Sequence, residues 1–243
     1  MRILFTLSML CLAAPAYAQC GPDGMDSVCG PARKSAGKAL VPYTDANVAA
    51  NVYWNGTALQ DVKGNAWAMT GTVPQVAASG GVPAGAGVFS DSNYYSIASP
   101  SFAETAPYVD CAAWIQGASV GSDVLVSFNG SAAQSRSAGA NFQFYADGST
   151  AVTSLNSIAT SAVNVACWGI SSAGTTEYVK LNTGTTVTAT ISTHSTGKVW
   201  LGRYSTTGNA AVNEKLIWFM HAPGDIPSDT LFTTIITAAL AWS

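Results

Sequence analysis

Residues 61–67 read Asp-Val-Lys-Gly-Asn-Ala-Trp, and residues 88–97 read Val-Phe-Ser-Asp-Ser-Asn-Tyr-Tyr-Ser-Ile. In both stretches, turn-forming Gly, Asn, Asp and Ser stand beside β-branched or aromatic residues that favour strands. From about Ala46 the same alternation recurs, and it predicts strands at residues 108–116, 123–128, 141–145, 163–170, 176–181, 187–191, 198–204 and 212–220. Short strands separated by turns predict an all-β sandwich or barrel.

The C-terminal segment has a different pattern. Ser228 is followed by Leu231, Ile235 and Ala239, which would lie on one face of a helix, and serine is a good helix N-cap. We therefore predict a short C-terminal helix that ends near Trp242 and packs against the edge of the sandwich.

Charged residues are scarce in this chain. They make up 9% of the 243 residues, against about a quarter in an ordinary domain, and the formal net charge is −3. The ten Lys and Arg residues are scattered along the sequence. Neither nucleic acid nor an anionic membrane surface is predicted as a partner, because both require a concentrated positive charge.

The N-terminus has the features of an export signal. Arg2 is followed by an apolar run to Leu12 and by Ala-Tyr-Ala at residues 16–18. This pattern predicts a signal peptide at residues 1–18 and a secreted or periplasmic protein, and the run is too short to insert in a membrane as a span. Residues 19–45 are rich in Gly, Pro and Asp and are predicted to form a lead-in.

Four cysteines remain once the signal peptide is removed: Cys20, Cys29, Cys111 and Cys167. An even number in an exported chain favours disulfides, and four cysteines allow three pairings. The simplest pairing joins Cys20 to Cys29 locally and Cys111 to Cys167 between strands. The alternative is four free thiols. Bulky Gln19 disfavours lipidation of Cys20 without deciding it.

Several short motifs carry a resemblance to a known family. Residues 61–65 match a D-x-x-G-N turn, residues 85–97 match a glycine-rich stretch followed by F-x-x-x-x-Y-x-x-I, and residues 201–204 (Leu-Gly-Arg-Tyr) with 214–218 match two closing strands. Over residues 48–242 the chain resembles the laminin-G-like jelly rolls of the concanavalin A-like lectin/glucanase superfamily.

This resemblance implies a fold and a set of functions. It implies a jelly-roll sandwich of two antiparallel sheets over residues 46–243, with a C-terminal helix. Many relatives bind carbohydrate, often with calcium, while others are hydrolases or lyases or serve as structural and adhesive surface components. Because one fold supports many functions, the choice among them depends on individual residues.

Candidates for catalysis are few. Glycosidases of this fold need paired carboxylates on one strand face, and the glutamates have no acidic neighbour at that spacing: Glu104, Glu177 and Glu214. Tyr178 and Lys180 share a strand face and His194 lies downstream, but the companion Q-x-H motif of lyases is missing. The sequence disfavours an enzyme and leaves a polysaccharide lyase as the weakest alternative.

Calcium is the one candidate cofactor. Calcium sites are built from loop carboxylates, amides and carbonyls, and Asp61, Asn65, Asp91 and Asn93 are predicted to lie in loops. The competing interpretation is that these side chains bond to the backbone of their own turns.

Sugar binding requires aromatic faces for stacking and planar polar groups for the hydroxyls. Trp54, Tyr95, Tyr204 and Asn209 lie next to turns and are the predicted ligand-binding residues. The apolar surroundings of three other tryptophans predict that they are core residues: Trp114, Trp168 and Trp218.

Two functional hypotheses follow. The first is a secreted, non-catalytic, lectin-like domain that binds a polysaccharide or another glycan. The second is a structural or adhesive surface component that uses its sandwich for contacts with proteins. The family resemblance favours the first.

Overall fold

The structure is a computed structural model, and within the compact unit Ala39–Ser243 it describes the following residues: 39–55, 58–77, 85–98, 106–121, 123–128, 131–135, 140–146, 151–192, 198–204 and 214–243. These residues form two antiparallel sheets and one helix. The predicted all-β jelly-roll sandwich with a short C-terminal helix is confirmed.

Sheet A contains nine strands in the described part of the chain: β1 (Ala50–Trp54), β2 (Leu59–Asp61), β4 (Gln75–Ala77), β5 (Gly85–Val88), β7 (Tyr108–Gln116), β12 (Val163–Ile170), β13 (Thr176–Leu181), β14 (Val187–Thr190) and β16 (Glu214–Pro223). Their order is β14-β13-β12-β7-β16-β1-β2, and β16 also pairs with β5, which pairs with β4. The long strands β7, β12 and β16 lie side by side at its centre.

Sheet B contains seven strands among the described residues: β3 (Ala68–Thr70), β6 (Tyr94–Ile97), β8 (Val124–Phe128), β9 (Ser131–Ser135), β10 (Asn141–Tyr145), β11 (Val152–Ser157) and β15 (Val199–Leu201). Their order is β11-β10-β9-β8-β15-β6-β3. Strands distant in sequence are therefore neighbours, since β15 lies between β6 and β8.

The main core lies between the sheets and is rich in aromatic rings. Trp114 and Trp168 of sheet A contact Phe142 of sheet B, with ring centroids 5.5 and 5.6 Å apart. All three side chains are fully buried. Such rings bury large apolar areas and gain further from their edge and offset contacts, so they hold the two sheets together.

A second core lies on the other face of sheet A, beneath α1 (Asp229–Trp242). Ser228 caps the helix, because its side chain accepts a hydrogen bond from the Leu231 amide. Phe232 packs on sheet A beside Trp218. The helix is confirmed with its predicted cap, and it lies on a sheet face rather than at the sandwich edge. No helix in the described ranges has the length and hydropathy needed to cross a bilayer.

The predicted bridge between strands is confirmed. Cys111 and Cys167 occupy opposite positions in the pairing of β7 with β12 and form a buried disulfide in this second core. Cys20 and Cys29 lie outside the described residues.

The end of β16 differs from prediction. Pro223 and Gly224 follow His221, and this sequence pattern predicts that His221 lies in a loop. It belongs to the strand, where it pairs with Asp110 of β7. Its ring is fully buried between the sheets, and this explains why the strand continues through a polar residue.

Candidate functional site

The outer face of sheet B carries a set of aromatic and polar side chains. Successive strand residues point to opposite faces, so the burial of Tyr95, Val199 and Leu201 in the core places Tyr94 and Trp200 on the outer face. Along β10 and β11 the same rule assigns three further residues to this face: Gln143, Tyr145 and Thr153.

The Leu-Gly-Arg-Tyr motif brings the chain back over this face. Gly202 has φ +79°, a conformation that favours glycine, and a Cβ at this position would overlap the ring of Phe89. Beyond this bend, the hydroxyl of Ser127 donates to the carbonyls of Arg203 at 2.7 Å and Tyr204 at 2.6 Å. Since Ser127 points outward from β8, residues 203 and 204 lie against the outer face of sheet B.

The bend assembles a group that we call the cation–aromatic cluster, consisting of Tyr94, Lys198, Trp200 and Arg203. The Lys198 ammonium lies 5.2 Å from the centre of the Trp200 ring, and the Arg203 guanidinium carbon lies 5.0 Å from that of Tyr94. Both distances are within the range of attractive cation–π contacts. Two cations are thereby held side by side on one face.

The electrostatics of this cluster are visible at Tyr94. A hydrogen bond from Thr70 lowers the pKa of Tyr94, and the positive charges of Arg203 and Lys198 lower it further, against a smaller opposing effect of burial. A lowered tyrosine pKa means that the surroundings stabilise negative charge at the hydroxyl. The positive charges of Arg203 and Lys198 contribute to this stabilisation, after the hydrogen bond from Thr70.

A polar network extends the face along β10. The Tyr145 hydroxyl donates to the side-chain oxygen of Gln143 at 2.7 Å, and the Gln143 amide donates to the Thr153 hydroxyl at 2.8 Å. All three side chains are half-buried. Three strand spacings separate β10 from β15, or about 14 Å, so the network and the cluster mark two ends of one extended surface.

The structure does not bring together the three predicted ligand-binding residues that it describes, Trp54, Tyr95 and Tyr204. Trp54 is 1% exposed and packs edge-on against Phe89 in the main core, and Tyr95 is 7% exposed. Neither ring has a face open to a sugar. Tyr204 is half-buried beside the cluster, and Asn209 lies outside the described residues.

The Asp61 carboxylate stabilises its own turn through hydrogen bonds. One carboxylate oxygen accepts from the amides of Asn51 and Lys63, and the other accepts from the side chains of Asn65 and Trp67, at 2.8 to 3.2 Å. These four bonds use the lone pairs that a cation would need. The structure therefore assigns Asp61 and Asn65 to the turn and does not support them as calcium ligands.

The second half of the predicted calcium set lies between β5 and β6. The Asn93 side-chain oxygen accepts from the Thr72 amide at 2.9 Å, while Asp91 is exposed. Within the described ranges, no three residues of the His, Cys, Asp and Glu types form a group that suits a metal ion.

Tyr178 and Lys180, the pair considered for a lyase, lie under the helix. The Lys180 ammonium is 2.7 Å from the Asp229 carboxylate and also donates to Thr233, and Tyr178 packs at the margin of the second core. This arrangement attaches α1 to β13. His194 lies outside the described residues.

A buried pair that the sequence did not indicate lies between the sheets. Oδ1 of Asp110 is 2.7 Å from Nδ1 of His221, and Tyr108 and Phe128 contact the imidazole ring. Burial raises the pKa of Asp110, against the opposing effect of His221. Both groups are sealed from solvent, so they can hold the sheets together but cannot reach a ligand.

No protein-family model matches the sequence, and no curated protein matches it significantly. Among solved structures, the chain is similar to domain 4 of AbnA, a GH43 extracellular arabinanase from Geobacillus stearothermophilus, in complex with arabinotriose; identity is 11%, TM-score 0.58, and coverage 81% of this chain and 100% of that one.

It is also similar to the binding domain of botulinum neurotoxin DC in complex with SialylT, at 9% identity and TM-score 0.55, covering 82% of this chain and 52% of that one. The receptor-binding domain of botulinum neurotoxin type G has 11% identity and TM-score 0.52, with the same coverage. The chain thus spans about half the length of the toxin domains. At these identities the similarity shows a shared sandwich fold.

Proposed function

We propose that this chain is a secreted, non-catalytic glycan-binding domain and that it binds its ligand on the outer face of sheet B. One observation carries the proposal: Gln143 and Tyr145 project from the same face as Tyr94, remain half-exposed and contribute to neither core. Aromatic rings and side-chain amides are the groups that sugars require.

The chemistry of this face suits a sugar chain. The Gln143 amide offers both donors and an acceptor, and its bonds to Tyr145 and Thr153 hold it in one orientation. A side chain fixed before binding loses less conformational entropy when the ligand arrives. The rings of Tyr94 and Tyr145 supply flat surfaces at the two ends of the face.

The other face of the sandwich is a poorer candidate. The outer face of sheet A packs against α1 through Phe232 and Ile235 and is attached to it by Lys180 and Asp229. The predicted signal peptide supports the export of this domain. Two of the similar structures are complexes, with arabinotriose in one and SialylT in the other.

Calorimetric titration with a panel of neutral and acidic polysaccharides tests this function. We expect binding to at least one polymer, weakened about tenfold by Gln143→Ala or Tyr145→Ala because each removes hydrogen bonds at the surface. Gln60→Ala, on β2 of sheet A, is the matched control and leaves the affinity unchanged. We also expect binding to persist in EDTA, because the Asp61 carboxylate already accepts four hydrogen bonds from neighbouring groups of the protein. Failure to bind any polymer, or equal weakening by Gln60→Ala, would refute the proposal.

A further inference from the structure

The cation–aromatic cluster contains two positively charged residues, although the chain as a whole has a negative net charge. Five lysines and arginines fall in the described part of a protein whose formal net charge is −3: Lys63, Lys180, Lys198, Arg203 and Lys215. Lys180 is neutralised by Asp229. Lys198 and Arg203 belong to the cluster on the outer face of sheet B, where the positive charges of both act on Tyr94.

The partners of Lys198 leave its charge uncompensated. Its ammonium lies over the Trp200 ring, and the ion pairs found within the described ranges join Lys180 to Asp229 and His221 to Asp110. An aromatic ring fixes the position of a cation without cancelling its charge. The ammonium therefore keeps hydrogen-bond donors for an anion.

Arg203 and Tyr94 complete the recognition chemistry. Arg203 is only 7% exposed, and its guanidinium adds positive charge to this surface without being open to solvent along its length. It stands 5.0 Å from the Tyr94 ring centre. Tyr94 is half-exposed and provides the adjoining flat face. The pKa of Tyr94 is lowered first by the hydrogen bond from Thr70 and further by the charges of Arg203 and Lys198.

We infer that the glycan is an acidic polysaccharide whose carboxylate or sulfate is bound by Lys198 beside Tyr94, with Arg203 adding positive charge to the same surface; this inference rests on the function proposed above. The Gln143 network then contacts neutral hydroxyls farther along the same chain. The anionic group of the ligand contributes an attraction that weakens as the ionic strength rises. The Gln143 network contributes neutral hydrogen bonds, which salt does not screen.

The test compares polygalacturonate, sulfated dextran, unsubstituted dextran and galactan of matched lengths, at low and at high salt. We expect at least one acidic polymer to bind about tenfold more tightly than its neutral counterpart at low salt, since a charge-assisted hydrogen bond is stronger than a neutral one. This preference falls as salt is added. The two acidic polymers distinguish a carboxylate from a sulfate ligand.

Substitutions locate the effect. Lys198→Gln removes the charge, leaves a polar side chain one atom shorter, and is expected to weaken acidic-polymer binding about tenfold, while Lys198→Arg retains the binding. Lys215→Gln is the matched control, because it removes the same charge from an exposed position on sheet A and changes the affinity less than about twofold. Thermal melting of each variant verifies that it is folded.

The outcomes separate the two proposals. Equal binding of neutral and acidic polymers, or equal effects of Lys198→Gln and Lys215→Gln, overturns the acidic ligand and leaves the glycan-binding function standing. Absence of binding to all four polymers and to the wider panel overturns both.

Discussion

Asp110 occupies a position directly opposite His221, and both side chains are fully buried. Removing one member of a buried pair leaves the other in a low-dielectric interior without that bond, at a cost of about 3–5 kcal/mol. We expect Asp110→Ala to lower the free energy of unfolding by about 3 kcal/mol in urea titrations. Asp91→Ala, in an exposed loop, should change it by less than about 0.5 kcal/mol. A loss below about 1 kcal/mol for Asp110→Ala would contradict this role.

The same carboxyl predicts a pH dependence. Burial raises the pKa of Asp110, so the folded protein binds this proton more tightly than the unfolded chain does. Its contribution is therefore fully present below the ordinary Asp pKa of about 4 and is lost as the pH rises through the raised value. The stability difference between wild type and Asp110→Ala should shrink as the pH is raised from below 4 towards neutrality, in urea titrations at several pH values. A difference that grows over this range would contradict the assignment.

Trp54 and Tyr95 show what sequence cannot decide at this scale. Both residues lie beside turns in the sequence, and this position predicts that their side chains are exposed. Which face of a strand a residue occupies depends on its partner strands, and those pairings bury both rings. Tyr94, the neighbour of Tyr95, is the ring left on the outer face.

At the scale of elements, the bend after β15 positions the candidate site. Gly202 and Gly64 have nearly the same φ, +79° and +80°, but a Cβ at Gly64 meets open space while one at Gly202 overlaps Phe89. We expect Gly64→Ala to cost about 1 kcal/mol and Gly202→Ala about 3 kcal/mol, since overpacking adds to backbone strain. Chemical denaturation measures both values. Equal losses would show that the Phe89 contact is unimportant.

The disulfide joins the two central strands of sheet A. Cys111 and Cys167 are 56 residues apart, and closing a loop of that length stabilises the folded state by about 4 kcal/mol in the chain-entropy model. We expect the double variant Cys111→Ala/Cys167→Ala to lose about this much in guanidinium titrations. Adding a reductant should shift the wild type more than the double variant, in which the predicted Cys20–Cys29 bridge is the one left to reduce. An unchanged free energy of unfolding for wild-type protein that has been unfolded in reductant would contradict a stabilising disulfide between Cys111 and Cys167.

Most elements could be predicted from sequence, whereas the candidate site could not. The strands at Tyr108–Gln116 and Asn141–Tyr145 have the predicted bounds, because alternation and turn residues are local signals. The cation–aromatic cluster joins Tyr94 to residues more than a hundred positions away. That contact depends on β15 pairing with β6, and no local pattern encodes such pairing.

At the scale of the whole molecule, the described unit has three layers. Sheet A is the middle layer, with the aromatic core on one side and α1 on the other, and sheet B presents the candidate site on its far face. Both cores therefore contribute to the stability of the fold. The proposed function depends on sheet B, which the main core holds against sheet A.

This division can be tested with two buried phenylalanines. Phe232 packs α1 onto sheet A, and Phe142 lies between the sheets next to Gln143 in sequence. Each Phe→Ala substitution should cost about 3–5 kcal/mol in denaturant titrations, because each leaves a cavity. For protein verified as folded by near-ultraviolet circular dichroism, we expect Phe232→Ala to keep the wild-type affinity for the best polysaccharide and Phe142→Ala to weaken it, since β10 carries the Gln143 network. Loss of affinity in Phe232→Ala with retention in Phe142→Ala would place the binding surface on the helical side instead.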